Sequence, residues 1–439
     1  MAQFFSTLFA VPPALAPIFN SIWQVWSLVW WIVLPIITGL FFWETYLLFL
    51  HVRFLKSINW VLLEIKIPKN NLRTPKAMEQ IFAAAHAPYS YGFRFTEKYI
   101  KGLNEKFFSF EIVGRAGETH FYLRTPSEFR NMMESAIYGQ FPDAEIVEVD
   151  DYLEQMPHVL PNKEIDVAGF EEVFQKPDPY PIRTYPMFED SVEERRVDTM
   201  GSFIEALSKM KGSQQFWYQL IIVPTGNEFH EEGEKIIRKK LGLDEGKEKK
   251  SGFLPDFDLG ISLGEAIAAP FVHPGEAKSK KDEKKQQQQP RFLVSPTDKA
   301  ITEAIQEKIS KFGFEATVRF LYLERRGETK DADKHVFLGH GYMRQFNTVN
   351  LNQLRPDKAT TSASYAVKGM FKKTRLRYRK RVLYERYRHL SHQEHKPVLN
   401  IEELATIFHF PINTVSTSEL EKVESRKGTP PATLPIVDE

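Results

Sequence analysis

Between residues 2 and 43 no side chain carries a charge, and Glu44 is the first that does. Residues 18–43 are dense in Ile, Leu, Val, Phe and Trp, and about 20 such helical residues cross the roughly 30 Å of bilayer hydrocarbon. Six of the seven Trp (Trp23, Trp26, Trp30, Trp31, Trp43 and Trp60) lie at or before residue 60. Trp collects at membrane boundaries because its ring is apolar and its N–H needs a partner. The pattern predicts one transmembrane helix. Three alternatives use the same residues: a cleaved leader ending at Ala14-Leu15-Ala16, a buried core helix, which would rarely stay uncharged this long or hold so many Trp, and a re-entrant pair broken at Pro35. No Lys or Arg precedes the stretch, whereas Arg53, Lys56, Lys66 and Lys69 follow it. The positive-inside tendency then places the C-terminal bulk in the cytoplasm, beneath an inner (cytoplasmic) membrane crossed once. In residues 44–57, Tyr46, Leu47, Leu50, Phe54 and Leu55 interleave with Glu44, Arg53 and Lys56, the pattern of an amphipathic helix leaving the bilayer. Residues 1–57 therefore read as anchor and juxtamembrane helix.

Beyond the anchor the periodicity changes. Residues 60–67 alternate as a strand. Thr74-Pro75 then opens a helix with Met78, Ile81, Phe82 and Ala85 on one face. Residues 107–113 and 118–124 alternate around the hairpin turn Gly114-Arg115-Ala116-Gly117. Thr125-Pro126 leads into a second helix with Phe129, Met132, Met133, Ala136 and Ile137 inward, and residues 144–149 alternate again. The order β-α-β-β-α-β over 58–152 predicts a ferredoxin-like unit. A second, less regular α+β unit is expected over 216–242 and 291–390, from strands at 216–223 and 314–324 and helices at 228–241 and 298–312. Its similar content suggests a degenerate duplication. Residues 153–215 read as an acidic connecting segment. Residues 243–290, rich in Lys, Glu, Gly and Gln, read as a flexible low-complexity insertion. Residues 391–439 read as a C-terminal docking helix and Pro-rich tail. The fold class expected is α+β.

Composition narrows the chemistry. The 439 residues hold 58 Lys+Arg against 57 Asp+Glu and no cysteine. Disulfides, thiolate metal sites and thiol catalysis are thereby excluded. The P-loop pattern G-x-x-x-x-G-K-[ST] does not occur, nor do G-x-G-x-x-G, H-E-x-x-H or G-x-S-x-G. The near-zero net charge conceals two blocks of opposite sign. Residues 143–198 hold 16 acids and 5 bases, while residues 368–388 hold 10 bases and Glu385 alone. The blocks could face each other; otherwise an oppositely charged partner is expected for at least one of them.

The basic run contains Lys372, Lys373, Arg375, Arg377, Arg379, Lys380, Arg381, Arg386 and Arg388, with Tyr378, Tyr384 and Tyr387 between them. Three readings stand: phosphate neutralisation with Tyr stacking on bases, contact with anionic lipid or an acidic partner, and a solvated structural face. His389, His392 and His395 are spaced three apart and would fan out over about 120° on a helix, so polar loop histidines are expected and no metal. His335 and His340 are read with the same caution. No catalytic constellation stands out; a non-enzymatic protein without cofactor is expected.

The segment Leu399-Asn-Ile-Glu-Glu-Leu-Ala-Thr-Ile-Phe-His-Phe-Pro411 reads as a helix with Asn400 as N-cap, Glu402 and Glu403 at its positive end, and Pro411 as its stop. Its apolar face, Leu404, Ile407 and Phe408, either packs on its own domain or docks a partner. With Pro430-Pro431-Ala-Thr-Leu-Pro435, this segment resembles the N-x-E-E-L-A-T-L-F-H-F-P … P-P-x-x-L-P signature preceding the motor in a group of bacterial membrane proteins of the HerA/FtsK superfamily. Those proteins are related to the ATPases and coupling proteins of type IV secretion and conjugation. Residues 60–68 leading into 75–82, and 121–126 leading to 137–145, are similar to the same group. In fused members the motor would begin near residue 439, so ATPase activity passes to no residue here. The resemblance implies a membrane-anchored accessory or platform protein of a type IV secretion or conjugation-like transfer system, docking a separate ATPase. The alternative is a membrane-tethered nucleic-acid-binding protein acting through residues 368–388. Partners expected are the membrane, such an ATPase, nucleic acid and further copies of the chain.

Overall fold

The computed structural model describes residues 16–68, 71–90, 92–188, 198–226, 228–242, 295–328 and 335–412. Helix α1 (Ala16–Ser57) runs unbroken through Pro35. Its stretch Trp26–Ser57 is long and apolar enough to cross a membrane, and the window that makes it so has no buried residue. Ala14 and Leu15 of the leader site, the insertion at 243–290 and the Pro-rich tail lie outside the described residues.

After α1 come β1 (Trp60–Lys66), α2 (Lys76–Ala85), β2 (Phe108–Arg115), β3 (Glu118–Pro126), α3 (Arg130–Gln140) and β4 (Glu145–Glu148). The strands pair antiparallel in the order β4-β1-β3-β2, the expected ferredoxin-like arrangement. The β2–β3 hairpin closes through Ala116 and Gly117 at φ 54° and 91°. Positive φ at both central residues matches the turn to the strands' right-handed twist.

The remaining elements are β5 (Ile165–Phe174), α4 (Gly201–Ser208), β6 (Gln215–Pro224), α5 (Glu228–Lys240), α6 (Pro296–Ile309), β7 (Gly313–Arg325), α7 (Phe337–Arg344), β8 (Leu354–Pro356), α8 (Lys372–Arg388), β9 (Val398–Asn400) and α9 (Ile401–Ile407). Here the structure departs from the sequence reading. The stretch 153–215 is not only a connection, because it supplies the first strand and first helix of the second unit. With β5 and α4 included, that unit is also β-α-β-β-α-β, in the order β8-β5-β7-β6, with α5 and α6 between β6 and β7. Glu171 and Glu172 in mid-strand hid β5, since charges argue against a buried strand until their partners are known. The strands β2 and β6 pair antiparallel from Phe108↔Ile222 to Arg115↔Gln215. Two edges are thereby removed, and a single nine-stranded antiparallel sheet results, β9 pairing with the start of β7.

Alternation along the strands gives the sheet two distinct faces. Phe108, Phe110 and Ile112 of β2, Phe216, Tyr218, Leu220 and Ile222 of β6, and Phe314, Val318 and Phe320 of β7 share one core with side chains of α2, α3, α4, α7 and α9. Each such Phe or Ile contributes about 1.5–3 kcal/mol relative to exposure. The opposite face, with Val113, Trp217, Leu321 and Leu323, is covered by Leu383, Tyr384 and Tyr387 of α8. Gly169 on β5 permits that close approach: a Cβ there would lie 2.9 Å from Leu383 Cδ2 and 2.2 Å from the Phe320 carbonyl oxygen.

Candidate functional site

Beneath α8 a row of polar side chains crosses the sheet. Register places Glu64 opposite Tyr122, Tyr122 opposite Glu111, Glu111 opposite Gln219, Gln219 opposite Arg319, and Arg319 opposite Glu171. Arg319 is fully buried. It donates from Nε and Nη2 to Glu171 Oε1 at 2.9 and 2.6 Å, from Nη1 to Gln219 Oε1 at 2.6 Å, and from Nη2 to the Ser391 carbonyl at 2.7 Å. Gln219 donates onward to Glu111 Oε1 and to the Tyr387 carbonyl. Tyr152 donates to Glu111 Oε2 at 2.8 Å, and its hydroxyl lies 2.7 Å from that of Tyr387. Arg124 grips Asp151 with two hydrogen bonds of 2.7 and 3.0 Å.

Burial opposes the charge on Arg124, but Glu111 and Asp151 outweigh it and raise the guanidinium pKa. At Arg319 burial prevails over Glu171 and lowers the pKa. The Tyr152 and Tyr387 hydroxyls are pushed well up, by burial first and then by Glu111. The row is thus a bonded, water-excluded brace between sheet and helix. Sequence reading passed over it, although one signal was present: Arg319 sits in the long strand pattern at a position whose neighbours on either side are apolar or β-branched.

The basic helix divides into two halves. Lys380 Nζ pairs with Asp166 at 3.1 Å, and Arg386 with Glu171 at 2.9 Å. Arg388 and Tyr384 both donate to the Pro157 carbonyl, and Arg379 donates to those of Lys358 and Thr361. Arg381 is paired with Glu385 along the helix, and Arg375 donates to the Lys368 carbonyl. So part of the acidic block, Asp166 and Glu171, faces the basic one. Tyr384 and Tyr387, two of the three tyrosines suited to stacking on bases, are instead core residues packed beside Trp217. The opening turns differ. Lys372, Lys373 and Arg377 are exposed, alongside Phe371 at 75% and Tyr378 at 68% exposure.

The C-terminal helix forms as its sequence predicts. Asn400 Oδ1 accepts from the Glu403 amide at 2.8 Å while Glu403 Oε2 accepts from the Asn400 amide at 3.0 Å, a capping box. Its face is not available for docking, however. Leu404, Ile407 and Phe408 are fully buried in the main core, with Phe408 edge-on to Phe110 and Phe121. Their burial against the chain's own sheet corrects the docking alternative for these three residues.

Where α1 meets the sheet there is an open groove of about 1120 Å³, lined by Leu48, Val52, Lys56, Trp60, Arg388 and His392, among others. His392 stands edge-on to Phe107 at 4.7 Å, with the His51 ring 6.2 Å away. Burial, reinforced by Lys396, pushes the His392 imidazole down to about 3, and it is neutral at physiological pH. His389 and His395 are exposed, apart from this contact. Among the described residues no three His, Asp or Glu side chains are grouped to hold a metal ion.

Comparison with curated proteins returns no match. A family model described as a domain of unknown function, DUF8128, matches residues 53–423, which takes in every described strand and every described helix after α1. The chain belongs to the DUF8128 family.

Proposed function

We propose that this protein is a membrane-anchored, non-catalytic platform that holds a separate motor ATPase of the HerA/FtsK type at the cytoplasmic face of an inner membrane, within a type IV secretion or conjugation-like transfer system. One observation carries the reading. Helix α1 passes without a break into a sheet whose charged groups are largely tied to one another, leaving exposed cations and rings at residues 371–378. That patch lies about 15–25 Å along α8 from the helix end that meets α1, taking 1.5 Å per residue. A mount with a charged surface away from α1 suits binding better than chemistry. Orientation rests on Arg53 and Lys56 at the end of the apolar stretch, and the motor as partner rests on the resemblance of residues 60–82, 121–145 and 399–435.

The test is purification of the tagged full-length chain in detergent from its own cells. Recovery of a P-loop ATPase in near-equal amount, lost on Phe371→Ala combined with Lys372→Glu and Lys373→Glu, supports the reading. ATP hydrolysis by the isolated chain, or purification without any ATPase, defeats it.

The same exposed cations beside Phe371 and Tyr378 favour one second reading, nucleic-acid binding at residues 371–378. Affinity would then fall steeply with salt, and neutralising Lys372, Lys373 and Arg377 would reduce the logarithmic salt slope by about 3.

A further inference from the structure

The described structure holds a second apolar and basic feature, in the loop between α2 and β2. Residues Glu97–Lys101 form a single π-helical turn, ended by Gly102 at φ 72°. The turn is packed on α1. The Tyr99 ring stacks on Trp43 with centroids 5.8 Å apart, and Tyr46 donates its hydroxyl proton to the Tyr99 carbonyl at 3.1 Å. Gly102 approaches Leu50 so closely that a Cβ would sit 3.0 Å from the Leu50 Cβ. Trp43, Tyr46 and Leu50 are one face of α1, spaced at i, i+3 and i+7.

That face has a defined level. Trp43 closes the uncharged stretch and Glu44 opens the charged chain, so the turn is held where an apolar span would pass into the headgroup layer. At that level the turn shows solvent the residues an interfacial segment needs. Phe95 is 68% and Ile100 62% exposed. Arg94, Lys98 and Lys101 are exposed around them, and Glu97 is the one acid of the turn. Exposed large apolar side chains ringed by cations fit an anionic lipid surface, since rings and aliphatics enter the acyl boundary while Lys and Arg reach phosphates. The turn bonds to α1 through backbone and ring contacts, and these five side chains stay exposed, Phe95 and Lys98 resting against the Tyr99 ring.

We propose that residues 94–101 form a second membrane contact, in which Phe95 and Ile100 enter the boundary between headgroups and acyl chains and Arg94, Lys98 and Lys101 bind lipid phosphates. The contact rests on the reading of α1 as a membrane span and adds a function to it. A lone helix lets the attached domain swing, whereas a second contact beside it sets the tilt of the sheet and the direction in which residues 371–378 face.

The absence of cysteine makes the test direct, because one introduced thiol is the only thiol. Phe95→Cys, Ile100→Cys, Ile36→Cys and Phe371→Cys, each carrying an environment-sensitive fluorophore, are placed in nanodiscs of phosphatidylethanolamine and phosphatidylglycerol with nitroxide-bearing lipids. Emission shifted to shorter wavelength and quenched by shallow nitroxides at 95 and 100, with solvent-like emission at 371, is expected. Lys98→Glu with Lys101→Glu should at least halve the quenching at 95. Solvent-like, unquenched emission at both 95 and 100 overturns the proposal while quenching at 36 leaves the span intact. Absence of quenching at 36 instead removes the span reading itself, and with it this contact. Unchanged quenching at 95 in the double variant overturns the phosphate contacts.

Discussion

Arg319 of β7 and Glu171 of β5 stand directly opposite in register, and two guanidinium nitrogens of the first lie within 2.9 Å of one carboxylate oxygen of the second, both side chains being buried. The free Glu171 oxygen accepts from Arg386 of α8 at 2.9 Å, so a pair within the sheet also fastens the covering helix. Removing Glu171 leaves the buried Arg319 charge uncompensated, which costs about 3–5 kcal/mol, and removing Arg319 leaves Glu171 with Arg386 as its remaining cation, whereas removing both can be nearly neutral. Arg319→Met and Glu171→Leu should each lower the urea midpoint of the detergent-solubilised chain strongly, and the double variant should recover most of the loss. Additive losses in the double variant would show that the pair is not coupled.

The two halves of α8 should respond differently. Lys380→Ala and Arg386→Ala break contacts to Asp166 and Glu171 and should destabilise by about 2–5 kcal/mol. Lys372→Gln, Lys373→Gln and Arg377→Gln touch exposed cations and should stay within about 0.5 kcal/mol of the parent. Thermal unfolding of the five variants reads the contrast directly. Equal losses in both groups would mean that the opening turns are held as firmly as the rest of the helix.

Two buried groups give opposite pH slopes. Burial raises the Glu172 carboxyl from 4.5 to about 7, only partly offset by His340 3.2 Å away. The native state then favours protonated Glu172, and its stability falls as pH rises from 4.5 to 7, by about 3 kcal/mol in all. His392 is held neutral, pushed from 6.5 to about 3, so its contribution is present above pH 6.5 and declines as pH falls below that. Between pH 4.5 and 6.5 the two slopes oppose each other. Glu172→Gln should expose the His392 slope, with stability rising with pH across that window, and His392→Phe should expose the Glu172 slope. Urea midpoints at half-unit steps from pH 4.5 to 7.5 measure both, and parallel profiles for parent and variants would refute the assignment.

The C-terminal helix is a structural element. Lys308 Nζ lies 2.9 Å from Glu403 Oε2, both side chains buried, and Asn400 caps α9 while donating to the Lys308 carbonyl at 3.3 Å. Asn400→Ala should cost about 1–2 kcal/mol through the lost cap. Leu404→Ala should cost about 2–5 kcal/mol through the cavity it leaves in a packed core. Both losses should appear in the purified chain with no partner present. A Leu404→Ala variant of unchanged stability would contradict its placement.

The features legible along the chain are local ones. Uninterrupted apolar residues marked the membrane-compatible helix, period-two alternation marked β1, β2, β3, β6 and β7, and Asn400 ahead of Glu402 and Glu403 marked the start of α9. Each signal needs only neighbours along the chain, because backbone hydrogen bonding and the period of the element act there. The rest came from the folded arrangement. It joined β2 to β6 and made two units one sheet. It also assigned β5 to the core by setting Arg319 against Glu171, which are 148 positions apart, and placed Lys380 on Asp166 across 214 positions. Whether a charged residue is a solvated face, a ligand contact or half of a buried pair depends on which charge lies across the fold. That partner is chosen by packing and not by spacing along the chain, so the anchored half of α8 and its exposed opening turns look alike until the chain is folded.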